Sequence, residues 1–160
     1  MRLASCCALR LNGEALSIAR EIGVPALVAA GLVMRGRLLA SNGKHDEARD
    51  CLEEAQRVAR EVGVPDSIAL AACHLALLPG GDAARARATV DELGERMDHL
   101  FLTEAQFLLW RATADRAHLA EAKRLVEEAL VNAPEEHRDA MLENVPLHRD
   151  IWKATQEAGL

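Results

Sequence analysis

The stretch GRLLASNGKHDEARDCLEEAQRVAREVG, residues 36–63, decides the fold. Its second half places apolar residues at Ala48, Leu52, Ala55, Ala59 and Val62. That is the spacing of one buried stripe along an α-helix. Acids and bases fill the opposite face. Upstream, Leu32, Gly36, Leu39 and Ala40 mark another helix, which stops at Asn42-Gly43. Glycine there fits the left-handed turn that ends a helix. The two segments form a helical hairpin.

The hairpin recurs. REIGVP at residues 20–25 is echoed by REVGVP at residues 60–65, and the echo extends back over Glu14-Ala15 and Glu54-Ala55. Self-similarity at this spacing marks a repeat architecture. Gly23 and Gly63 end one helix; Pro25 and Pro65 open the next, where a missing N–H costs nothing. Read along Ala8, Ala48, Ala86 and Ala122, the spacing is 40, then 38, then 36 residues. Leu52, Val90 and Val126 form a second column. Gly36, His74 and Trp110 form a third. Leu32 and Leu70 agree, and Gln106 breaks their column. Asp82 is placed to cap one helix, and Pro134 and Pro146 open others. The pattern predicts helices near 3–22, 26–42, 45–62, 66–78, 82–96, 99–113, 117–132, 135–143 and 146–158, and no strand.

Composition agrees with helices. Half of the 160 residues are hydrophobic, yet only Phe101, Phe107, Trp110 and Trp152 are aromatic. Ala and Leu carry the packing. The net charge is -6, and the basic residues are scattered among 25 acids with no stripe for nucleic acid. No apolar run reaches the length of a membrane span. Leu3-Ala4-Ser5-Cys6 has the form of a lipoprotein cleavage box, but with only Met1 and Arg2 before it no working signal is expected. Cys6, Cys7, Cys51 and Cys73 form no C-x-x-C pair and read as reduced thiols of a cytoplasmic protein.

No chemistry is visible. The six histidines are never four apart on a helix, and no Cys/His cluster has zinc spacing. Gly80-Gly81 is too short for a phosphate loop. No nucleophile elbow occurs. The expectation is a non-catalytic protein without cofactor or metal.

The segments GRLLASNGKHDEA and CLEEAQRVAREVG resemble a tetratricopeptide repeat through Gly36, Gly43, Ala48 and Ala55, in the long-helix variant of about 40 residues. The resemblance implies an all-α, right-handed solenoid of antiparallel helical hairpins. It would be a single domain over 1–160, with repeats near 1–24, 25–64, 65–97 and 98–133 and capping helices over 134–160. The tail MLENVPLHRDIWKA is similar to the C-terminal ends of large bacterial signalling kinases, cyclases and ATPases. These likenesses imply a protein–protein interaction module, the repeat tail of a multidomain bacterial regulator. In this family the first helix of each hairpin lines a concave groove. The resemblance places Ala30, Val33, Arg37 and Ser41 there, then Ile68, Ala71, Leu75 and Leu78, then Glu104, Phe107, Arg111 and Asp115. Arg37, Leu75, Phe107 and Arg111 are the expected peptide-binding residues, suited to a peptide with an acidic side chain.

The register also opens the chain on a second helix without its first. Leu3, Leu11, Ala15, Ile18 and Ile22 give that helix an apolar stripe where a repeat array is usually capped with polar residues. The chain therefore reads as the C-terminal piece of something longer. The alternative is a self-association element, a homodimer formed through this helix.

Overall fold

The computed structural model describes the backbone from Arg2 and the side chains from Cys7 to Leu160. The described residues are all-helical and contain no strand. They divide into two compact units, one ending at Met97 and one running from Asp98 to Leu160.

The first unit contains α1 (Arg2–Glu21), α2 (Pro25–Ser41), α3 (His45–Val62), α4 (Pro65–Ala76) and α5 (Ala83–Leu93), then a 3-10 turn (Gly94–Arg96). Each helix packs on the next, and α2 also touches α4. The turn chemistry acts as the sequence suggests. Gly63 sits at φ 71 and donates its N–H to Ala59 O. Pro65 opens α4. The Asp82 carboxylate accepts from the Arg85 N–H at 2.9 Å. The column residues Ala48, Leu52, Ala86 and Val90 are all buried. Helices α2 and α3 approach closely at Gly36: a Cβ there would lie 2.5 Å from Leu52 Cγ.

Two boundaries fall short of the predicted ones. The helix expected over 66–78 ends at Ala76. Leu78 precedes Pro79, and a residue before proline is pushed out of the helical region. The chain tightens instead, with Leu77 N–H donating to His74 O and Leu78 N–H to Leu75 O. The helix expected over 82–96 gives way to the 3-10 turn at Gly94.

The second unit contains α6 (His99–Thr113), α7 (Arg116–Asn132), α8 (Glu135–Asn144) and α9 (Pro146–Ala158). Asp98 and Asp115 cap α6 and α7 by accepting from the N–H groups of Leu100 and Ala117. Phe107, Leu119, Ala122, Val126, Ile151 and Ala154 form the core. The helix that seals it is α9, which packs on α7. Helix α8 buries none of its residues. It follows α7 in sequence, but the apolar stripe belongs to α9, and burial follows the stripe.

Gln106, which interrupts an apolar column, has a structural partner. Its Oε1 lies 2.8 Å from His118 Nδ1, so the carboxamide oxygen accepts and the ring proton sits on Nδ1. Arg116 ties the start of α7 to the end of α9, donating to Ala158 O at 2.7 Å.

Candidate functional site

A broad concavity that holds two expected site residues lies in the second unit, between α6 and α9. Phe107, Trp110, Arg111 and Ala114 come from α6 and its end; Asp150, Lys153, Ala154 and Glu157 come from α9. Its volume is about 640 Å³. The spacing of the α6 residues, three and four apart, puts them on one helical face. Ala114 ends that face. It adopts φ 58, and its N–H donates to Trp110 O at 2.7 Å, closing α6 at the rim.

The floor is aromatic. Phe107 and Trp110 stack with ring centroids 5.3 Å apart. Phe107 is only 9 % exposed and belongs to the core, while Trp110 is half-buried. The rim is charged and mixed. Lys153 Nζ lies 3.9 Å from Glu157, and Arg149 lies 3.7 Å from Asp150. Arg111 is exposed and forms no ion pair or hydrogen bond among the described residues. A free guanidinium beside an aromatic floor can meet a carboxylate through two parallel N–H donors.

The other expected residues lie in the first unit. Arg37 is exposed on α2. Leu75 is half-buried and lines a smaller recess of about 120 Å³ with Gln56, Gly81 and Asp82. The apolar lining expected from Val33, Ile68, Ala71 and Leu78 is absent, because all four are buried in the core. Their helices are apolar on more than one face, and packing claims those positions. Phe107 and Arg111 are brought together on one concavity.

Asp150, Lys153 and Glu157 were not expected there. Their spacing of three and then four residues is a legible signal that they share a face of α9. Reading 134–160 only as capping helices passed over it.

Among the described residues no group of three or more His, Cys, Asp or Glu could hold a metal ion. Cys7, Cys51 and Cys73 form no disulfide; Cys6 lies outside the described side chains. Burial pushes the Cys51 thiol up, against the pull of Arg35. No helix among the described residues is long and apolar enough to cross a membrane.

Burial of His148 is expected to make the second unit pH-sensitive. It is buried at the start of α9, and its Nδ1 has no hydrogen-bond partner. Burial pushes its pKa below 6.5, outweighing the Met141 backbone, and His99 adds like charge. The unfolded chain therefore binds the proton more readily than the folded one. Stability is expected to hold above the unfolded value of 6.5 and to fall as pH drops through it towards the folded value. Urea unfolding between about pH 7.5 and 5 should show this slope, and His148→Gln should flatten it. An unchanged slope in that variant would assign the effect to another group.

No protein-family model matches this chain, and no curated protein matches it.

Proposed function

We propose that this chain is a tetratricopeptide-like stack of helical hairpins that binds a protein or peptide carrying an acidic residue. The buried alanines of the repeat columns and the contact of α2 with α4 as well as α3 support the repeat reading. The unpaired Arg111 beside the Phe107–Trp110 stack carries the binding reading. An extended peptide would lay an apolar side chain on Trp110 and present a carboxylate to Arg111. On the opposite wall Lys153 is offset by Asp150 and Glu157, so Arg111 carries the charge recognition.

The test is fluorescence anisotropy with labelled heptapeptides that pair Leu with Asp or Glu, against matched Leu/Asn peptides. A charge-assisted Arg–carboxylate bond shielded from water is worth about 1.5–3 kcal/mol. Arg111→Ala should therefore weaken the acidic peptides roughly tenfold to a hundredfold and leave helicity unchanged. Arg37→Ala serves as the comparison. If acidic and neutral peptides bind alike, or if Arg111→Ala changes nothing, the α6–α9 concavity is not the binding surface.

A further inference from the structure

Helix α9 borders a second recess beside the α6–α9 concavity. It lies between α8 and α9, holds about 420 Å³, and has the half-buried Trp152 as an aromatic wall. Trp152, Lys153 and Gln156 of α9 line it, while Lys153, Ala154 and Glu157 line the concavity. The two sets are offset by one residue, about 100° around a helix. Lys153 belongs to both, so the two openings adjoin across a single ridge.

From α8 the recess receives Asp139 and Glu143, four residues apart on one helical face. Both carboxylates are exposed, and neither makes an ion pair or hydrogen bond among the described residues. The bases of the recess are matched to other acids. Arg149 lies 3.7 Å from Asp150, and Lys153 lies 3.9 Å from Glu157. Lys123 of α7 sits 5.9 Å from the Trp152 ring centroid, outside the recess lining, and pairs with Glu127 at 3.7 Å. Asp139 and Glu143 are thus the uncompensated charge beside Trp152. Two carboxylates are too few for a metal site, and among the described residues no group of three ligating side chains could hold one. An aromatic ring beside two carboxylates suits an organic cation.

We propose that the α8–α9 recess takes an arginine side chain of the same partner segment that presents its carboxylate to Arg111. This rests on the α6–α9 concavity being the peptide site. A guanidinium is planar, stacks on an indole and meets a carboxylate through two N–H donors. The ridge between the openings is one helix wide, roughly 10 Å with its side chains. An extended chain advances about 3.3 Å per residue. The acidic residue and the arginine therefore stand about three positions apart in the bound segment. What is recognised is a pair of opposite charges at a set distance, with an apolar residue on Trp110.

The probes are labelled nonapeptides with Glu and Arg two to four positions apart, in either order, and Leu beside the Glu. Each has a twin in which citrulline, the neutral isostere, replaces Arg. Anisotropy is read with the full chain at about 50 mM salt, where exposed charges are weakly screened. The best Arg peptide should bind about threefold to tenfold tighter than its twin. Asp139→Asn with Glu143→Gln should erase that advantage and leave the citrulline peptide and the helicity unchanged, since both side chains are exposed. Arg111→Ala should weaken both twins alike. If the twins bind alike while Arg111→Ala weakens both, the recess takes no cation and the concavity reading stands without it. If the Arg advantage survives the double variant, the cation sits elsewhere and the proposal is overturned. If the advantage depends on Asp139 and Glu143 while Arg111→Ala changes nothing, the concavity reading fails and the shared segment with it. Binding of neither twin overturns both.

Discussion

Ile151→Ala is expected to cost about 2–5 kcal/mol, the range for deleting a large aliphatic side chain from a packed core. Ile151 is fully buried and belongs to one cluster with Leu119, Ala122 and Val126 of α7 and Phe107 of α6. Truncation leaves a cavity lined by residues of three helices, none of which can close it without leaving its other partners. A small unit has little stability to spare. Hydrogen exchange should therefore quicken throughout α6 and α7, not only in α9. Val131→Ser is the control. Val131 is 72 % exposed, and surface changes of that kind seldom exceed about 0.5 kcal/mol. If Ile151→Ala frays α9 alone and leaves α6 and α7 protected, α9 is an appendage and the concavity loses one wall.

Ala48→Leu is expected to cost roughly 1–3 kcal/mol by overpacking. Ala48 is fully buried on α3 beneath α2. The contact is already close. Even a Cβ on Gly36 would meet Leu52 Cγ at 2.5 Å and Ala48 O at 3.2 Å. The longer side chain must push α2 off α3, and α2 also packs on α1 and α4. The denaturation midpoint should fall while α6–α9 keep their protection. A midpoint unchanged by the substitution would mean that the alanine column does not mark the helix crossings.

Helices and their ends were legible in the sequence because they rest on local physics. The stripe at Ala48, Leu52, Ala55 and Ala59 states a helix and its buried face at once. Gly63 and Pro65 state where one helix stops and the next begins, since only local backbone sterics are involved. Asp82 declares itself as a cap by its place beside the turn, and its carboxylate accepts the expected kind of N–H bond. These signals reach no further than a few residues along the chain, and nine helices follow from them among the described residues.

Which exposed side chains meet on one concavity was settled only by tertiary structure. Nothing local tells Phe107 that it will lie in a core completed by Ile151, forty-four residues later, or that Arg111 will face Lys153. Val33, Ile68, Ala71 and Leu78 show the same limit from the other side. Each is an apolar residue on a helix with more than one apolar face, and helical period alone cannot say which face a neighbour will take. The order of packing is equally non-local. Helices α8 and α9 both follow short turns, yet α9 seals the core because its stripe buries more apolar surface than α8 can offer. The sequence by itself determined that the chain is helical, where its helices turn, and which small residues mark close crossings. The competition among helices for the same apolar surface, decided only when all are present, chose the core and the concavity.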